Sequence, residues 1–286
     1  MPYMDEICWA NTEEFEDAEF VIVGIPDESQ SHALRKGTEE APYRIRQISN
    51  ERDSFERSGK TSLGRPFTGS TKKVFDLGNI TRVEIDETFD KITSSSKIPI
   101  SIGGDHSITR QIIHSMANRL EKFSLVYFDA HPDFVSSTTN YYGSVVNDVI
   151  PNIDVDSSIQ IGIRTPEQEE LDNINKYNLQ VITPFDIQEQ GIKKITESVL
   201  NKIGKNVYVS FDMDCIDPAF APGVSVPVPM GLSSTDAMYI LKAIAAKGIV
   251  GMDIMEVCPS FDVKDRTSHL ASRIISEVIY SSGDTQ

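Results

Sequence analysis

Three short segments that are rich in carboxylates and imidazoles each follow a run of apolar, strand-forming residues. They span residues 101–107, 129–133 and 212–218. The carboxyl ends of neighbouring strands in a parallel α/β sheet open into one crevice, so we expect these segments to face one another there. Carboxylates that are crowded together cannot all stay ionised unless cations neutralise them. One such segment alone would indicate a helix cap or a turn, but three of them predict a metal site.

The spacing of the acidic residues indicates how they would be presented to an ion. Asp129, His131 and Asp133 alternate with other residues, and side chains at alternate positions project to the same side of an extended chain. Pro132 favours an extended conformation at His131, which would keep this presentation stiff. With the Asp-x-Asp pair of the third segment and the histidine of the first, the candidate ligands are His106, Asp129, His131, Asp133, Asp212 and Asp214.

This set of four carboxylates and two imidazoles suits a pair of divalent ions better than a single ion, because the charges then balance. Oxygen-rich ligation without thiolate favours Mn²⁺ over structural zinc, while zinc, iron and cobalt remain open alternatives. Two ions about 3.5–4 Å apart typically bind a water between them and lower its pKa towards neutrality. The predicted chemistry is therefore hydrolysis by attack on an electron-poor carbon or phosphorus, and the residues alone leave the substrate open.

Length and composition set broad limits on the class of protein. The chain has 286 residues and no repeat or long linker that would divide it, so we predict a single domain over residues 1–286. Its formal charge of −16 argues against nucleic acid or an anionic membrane surface as a partner. Three cysteines without paired spacing, no apolar stretch long enough to span a bilayer and no signal-like start predict a cytoplasmic protein.

Alternating strand-like and helix-like segments are expected to position the candidate ligands. Strands are predicted at residues 19–25, 73–77, 98–102, 123–128, 158–163, 207–211 and 249–254. Several of these runs are continuously apolar, which is typical of strands buried on both faces. Apolar residues at helical spacing predict helices at 107–122 and 233–247, and a closing helix is predicted at 267–280. This alternation indicates βαβ units and a mostly parallel sheet, and the polar stretch 50–72 is expected to form a surface excursion.

Three specific motifs lie at the predicted site. They are Gly-Gly-Asp-His-Ser at 103–107, Asp-Ala-His-Pro-Asp at 129–133 and Ser-Phe-Asp-Met-Asp-Cys-Ile-Asp-Pro at 210–218. Flanking matches include Gly-Ile-Pro at 24–26 and Gly-Met-Asp-Ile-Met-Glu at 251–256. With these motifs, in order and over nearly its whole length, the chain resembles the ureohydrolase family, which includes arginases and agmatinases.

The resemblance implies an arginase-like fold, a three-layer α/β/α domain with a mostly parallel central sheet. It also implies a homo-oligomer, either a trimer or a hexamer, and two Mn²⁺ ions per chain. By position, one ion would be bound by His106, Asp129, Asp133 and Asp212. The other ion would be bound by Asp129, His131, Asp212 and Asp214, so that Asp129 and Asp212 bridge the pair.

The resemblance further implies an enzyme that hydrolyses the guanidino group of a small cationic substrate. The whole-chain pattern is most similar to the agmatinase branch, in which a metal-bridging hydroxide attacks the guanidinium carbon of agmatine to give putrescine and urea. Glu256 matches the carboxylate that holds the guanidinium. Asp133 would accept a hydrogen bond from the hydroxide and pass its proton to the departing amine.

One position on the substrate side departs from the family pattern. Tyr142 stands where many members carry a histidine that is credited with moving protons. A phenol titrates near about 10 rather than about 6.5, so it is a poorer proton shuttle at neutral pH, although it can still donate a hydrogen bond. The alternatives are an arginase, another guanidino- or formimino-hydrolase, and a non-catalytic metal-binding descendant.

Overall fold

The fold is built on one parallel β-sheet. A computed structural model describes residues 10–49 and 72–283. The strands, numbered β1 to β8 in chain order, are Phe20–Ile25, Val74–Asn79, Ile98–Gly103, Ser124–Phe128, Ile159–Ile161, Gln180–Ile182, Val207–Asp212 and Gly251–Met255. Their order across the sheet is β2-β1-β3-β8-β7-β4-β5-β6, and all the pairings are parallel. The predicted surface excursion at 50–72 lies almost entirely outside the described residues.

Helices cover both faces of this sheet. Those found in the described residues, α1 to α9 in chain order, are Ala41–Ser49, Ile85–Ser94, Ile108–Ala117, Val145–Val149, Gln168–Tyr177, Pro184–Gln190, Ile192–Lys202, Ser234–Lys247 and Arg266–Ser281. Helices α1 and α6 to α9 pack on one face, and α2 to α5 pack on the other. No helix within 10–49 or 72–283 is both long and apolar enough to cross a membrane.

Successive side chains of the central strands point to opposite faces of the sheet and so contribute to two apolar layers. In β4, Val126 and Phe128 join one layer, while Leu125 and Tyr127 join the other. Strands β1, β4 and β7 are buried at every position, as their continuously apolar sequences predict. The predicted three-layer α/β/α arrangement with a parallel sheet is therefore confirmed.

Local sequence patterns predicted some helices and strands correctly and missed others. The helix predicted at 233–247 is confirmed, and the hydroxyl of Ser233 caps it by accepting a hydrogen bond from the Asp236 N–H. The helix predicted at 107–122 is too long, because α3 ends at Ala117 and a turn follows it. Strand β6 was not predicted, since its three residues include an apolar run of only two, Val181 and Ile182.

The order of the central strands brings the predicted site together. Strands β3, β8, β7 and β4 are neighbours, although β3 and β4 are consecutive in the chain and β7 and β8 follow much later. Phe211 of β7 lies level with Phe128 of β4 and with Ile254 of β8, which in turn lies level with Ile102 of β3. The segments that follow these four residues therefore leave the sheet at the same edge.

Gly104, which follows β3, allows an unusually close backbone contact at this edge. A Cβ atom at this position would lie 2.0 Å from the carbonyl oxygen of Asp27. The Gly104 carbonyl also accepts a hydrogen bond from the Glu256 N–H at 3.0 Å. Only glycine fits here, because any side chain would force these two loops away from the histidine that follows.

Candidate metal centre

The candidate ligands meet in two groups at the carboxyl edge of the sheet. In the first group, Nδ1 of His106 lies 3.0 Å from Asp129 Oδ2 and 3.1 Å from Asp212 Oδ2. The carboxylate of Asp133 approaches the same nitrogen at 3.4 Å. Side chains from the ends of three strands thus direct their donor atoms towards one point.

The second group lies beside the first and shares a carboxylate with it. Nδ1 of His131 lies 3.0 Å from Asp214 Oδ2 and 3.3 Å from Asp129 Oδ1. Asp129 therefore presents one oxygen to each group, as expected of a carboxylate that bridges two ions. The structure places Asp212 with the first group only, so its bridging role stays a prediction.

Turns, rather than extended chain, orient these side chains. Asp129 Oδ1 accepts a hydrogen bond from the His131 N–H at 2.6 Å, and Asp212 Oδ1 accepts one from the Asp214 N–H at 2.7 Å. Asp133 has a φ of 46°, in the left-handed region. The chain bends at residues 130 and 131, because the Asp129 side chain bonds to the backbone two residues on, so alternation along an extended chain does not explain how these side chains meet.

The two groups fit a divalent cation. Asp129 Oδ2 is buried and has no hydrogen-bond partner among the described residues, even though His106 Nδ1 is only 3.0 Å away. Buried carboxylate oxygens normally accept a hydrogen bond or bind a metal ion. Each group also supplies two carboxylates and one imidazole within 4.8 Å, a donor set without thiolate that is typical of Mn²⁺ and related ions.

A chain of polar residues behind the first group fixes the orientation of His106. Its Nε2 lies 2.8 Å from the Ser210 hydroxyl, which donates to Asp253 Oδ1 at 2.8 Å. The other oxygen of Asp253 accepts hydrogen bonds from Tyr208 and Thr109. This arrangement leaves Nδ1 free to bind an ion, a role that outer hydrogen-bond partners commonly have in metal sites.

The role of this supporting chain was not predicted from the sequence. Ser210 and Asp253 lie within the quoted motifs, but they were assigned no function. The sequence does carry one sign of this role. Ser210 and Asp253 are polar residues inside buried, mostly apolar strands. Such residues need hydrogen-bond partners and therefore indicate a network.

Burial and neighbouring charges shift the pKa values of the site residues. Burial lowers the pKa of His106, but the carboxylates of Asp129 and Asp212 outweigh this effect and raise it well above the usual range. The pKa of His131 is likewise raised, because Asp214 and Asp129 outweigh the effect of burial. Burial and the nearby Asp129 also raise the pKa of Asp133. Positive charge is thus strongly favoured at the positions of the two groups.

Glu256 lies directly beside the first ligand group. Its Oε1 accepts a hydrogen bond from the His106 N–H at 2.9 Å, and its Oε2 accepts one from the Ser225 hydroxyl. Its φ is 63°, a left-handed conformation that is costly for this residue type. Burial, with a further contribution from Asp105, raises the pKa of Glu256 to about 7. The carboxylate is therefore held in a fixed position where an added positive charge would ionise it.

Comparison of the chain with known protein families and relatives shows which family it belongs to. A model of the arginase family matches residues 18–280. The chain belongs to the arginase family. The predicted ureohydrolase resemblance is thereby confirmed. Among curated relatives, the agmatinase of Cronobacter sakazakii is 32% identical to this arginase-family chain, over 92% of it and 87% of the relative.

Two solved structures share the fold of this chain over most of their length. The agmatine ureohydrolase of Thermoplasma volcanium has a TM-score of 0.83 and 31% identity, with 97% of this chain and 94% of that chain covered. The proclavaminate amidino hydrolase of Streptomyces clavuligerus also has a TM-score of 0.83, at 27% identity, with 94% and 93% covered. The similarity therefore extends over almost the full length of both neighbours.

Tyr142, the position that departs from the family pattern, lies next to the site. The carbonyl of Asp133 accepts a hydrogen bond from the Val146 N–H, which ties the segment around Tyr142 to the ligands. Its ring contacts His32 and Tyr141 edge-on, at centroid distances of 6.0 and 5.8 Å. Burial and then the nearby Glu256 raise its pKa. The place of His32 in this aromatic group was not predicted from the sequence.

We expect the binding of Mn²⁺, used as a probe, to release protons from the metal-free protein. An imidazole must be neutral to bind a metal ion, and both site histidines have raised pKa values. The affinity should therefore fall as the pH is lowered. Titration calorimetry in buffers of different ionisation enthalpy measures the protons released. The variant His131→Ala should release fewer, His114→Ala should match the unchanged protein, and a heat that is independent of the buffer would contradict the prediction.

Proposed function

We propose that this protein is a dinuclear-manganese hydrolase that converts agmatine and water to putrescine and urea. The observation that carries the proposal is the pair of ligand groups joined by Asp129, with Glu256 beside them. The two groups would hold two Mn²⁺ ions, which when bound supply a water of lowered pKa as the nucleophile. The cytoplasmic location and the trimeric or hexameric assembly stay predictions.

The residues around the ions have separate roles in this proposal. Glu256 binds the guanidinium, because its carboxylate is buried, fixed by two hydrogen bonds and ionised most easily when a cation is close. Asp133 accepts a proton at its carboxylate and passes it to the departing amine, since burial and Asp129 raise its pKa. Tyr142 donates a hydrogen bond on the amine side of the substrate.

The choice of agmatine is supported by similarity and by charge. The relatives at 31–32% identity over most of the chain are agmatinases. A formal charge of −16 favours a substrate without a carboxylate through long-range attraction. Other guanidino substrates differ from agmatine at the end remote from the reacting carbon, so they form the natural comparison set.

The proposal is tested by urea release from agmatine after preincubation with Mn²⁺, with arginine and guanidinobutyrate measured in parallel. We expect metal-dependent release from agmatine, with a kcat/KM at least about a hundredfold above that for arginine. Release from arginine but not from agmatine would overturn the choice of substrate. Two bound ions per chain without urea from any of these compounds would instead indicate a non-catalytic descendant.

Replacing Glu256 with glutamine should lower kcat/KM for agmatine by roughly a hundredfold or more. The change removes one partner of a buried ion pair with the substrate, which costs about 3–5 kcal/mol. Steady-state kinetics of Glu256→Gln measure the effect, and Glu189→Gln, on the exposed part of α6, is the matched control. Turnover by Glu256→Gln equal to that of the control would exclude the proposed role in substrate binding.

Two substitutions at Tyr142 separate hydrogen bonding from proton transfer. Tyr142→Phe keeps the ring but loses the hydroxyl, so kcat should fall about tenfold, as expected for one hydrogen bond. Tyr142→His introduces a group that titrates near neutrality, so kcat should rise about tenfold or more where proton transfer limits turnover. Equal kcat values for all three forms at constant Mn²⁺ occupancy would mean that the residue at this position takes no part in the reaction.

A further inference from the structure

Tyr127 carries a hydroxyl group in a place where packing alone does not require one. It lies on β4 between apolar residues, and its side chain is fully buried. Phenylalanine would fill the same space without a polar atom. A buried hydroxyl without a hydrogen-bond partner costs about 1–3 kcal/mol, so its presence indicates a specific partner.

The partners of Tyr127 are two candidate metal ligands from different segments. Its hydroxyl donates to Asp133 Oδ2 at 2.6 Å and lies 3.1 Å from His106 Nδ1. Its ring is parallel to the His106 imidazole, with 4.7 Å between centroids and 2° between planes. One side chain therefore restrains both the position of the imidazole and the rotation of the carboxylate.

Asp133 depends on such a restraint more than the other acidic residues of the site. It lies beyond the end of β4, and its φ of 46° is a conformation that an aspartate adopts at some energetic cost. Asp129 and Asp212 are oriented by N–H groups two residues further along the chain, those of His131 and Asp214. Within residues 10–49 and 72–283, the Tyr127 hydroxyl is the one hydrogen-bond donor to the Asp133 side chain.

We propose that Tyr127 is a positioning residue that fixes Asp133 and His106 in the arrangement needed to bind the first ion. Its hydroxyl hydrogen is committed to Asp133, because a carboxylate oxygen only accepts. The carboxylate therefore stays near His106 Nδ1, at 3.4 Å, instead of rotating away. The catalytic part of this inference rests on the proposed function. There, the hydrogen bond from Tyr127 also orients the Asp133 carboxylate that transfers the proton.

The test is Mn²⁺ affinity of Tyr127→Phe, measured by titration calorimetry on metal-free protein. This change removes one oxygen and keeps the ring, so the fold and the stacking on His106 are retained. Outer hydrogen-bond partners of metal ligands typically contribute about 10–100-fold to affinity, and we expect one of the two Kd values, that of the ion bound by His106, to rise by that amount. Tyr177→Phe, whose ring stacks on Phe134 outside the ligand groups, is the control and should bind as the unchanged protein does.

A double-mutant cycle with Asp133→Ala, which removes the acceptor, separates positioning from general destabilisation. If Tyr127 acts through Asp133, adding Tyr127→Phe to Asp133→Ala should weaken Mn²⁺ binding by less than about twofold further. Additive losses, or an affinity of Tyr127→Phe within twofold of the unchanged protein, would overturn the inference. Because binding is measured without substrate, these outcomes hold whether or not the protein hydrolyses agmatine.

Discussion

The structure depends on the electrostatic cost of burying several carboxylates in one place. Asp129, Asp133, Asp212 and Asp214 are 6% exposed or less, and they converge where four parallel strands end. In a medium of low dielectric, such a cluster is stable only if positive charge or protons neutralise it. The histidines and the expected cations meet that requirement, and the rigid sheet keeps the donor atoms from separating.

The backbone at the site departs from locally preferred conformations at two functional positions. Asp133 and Glu256 both have positive φ values, and neither is a glycine. Such conformations cost about 1–3 kcal/mol each and persist only where surrounding contacts hold them. Here the contacts are hydrogen bonds from the Tyr127 hydroxyl, the His106 N–H and the Ser225 hydroxyl. The site is therefore held in a preorganised geometry by its supporting residues.

Metal-binding and substrate-facing parts of the site differ in how far they follow the family. The predicted ligand positions lie in the motifs that carry the family resemblance, whereas Tyr142 departs from the family pattern. Arg164 fastens the loop after Pro222 to the second ligand group, because its guanidinium donates to the carbonyl of Asp214 at 2.7 Å and to that of Pro229 at 3.1 Å. This loop thus shares an anchor with the second ligand group.

The sequence by itself determined seven of the eight strands, the types of the candidate ligands and the edge of the sheet where they meet. It could do so because a buried strand followed by acidic residues is a local pattern, and parallel strands share a carboxyl edge. Only the tertiary structure decided which residues support the ligands. Tyr127 and Ser210 reach His106 from other strands, and Asp253 supports Ser210 from a third. His32 reaches Tyr142 from a distant loop. These contacts join residues that are remote in the chain, and no local periodicity encodes them.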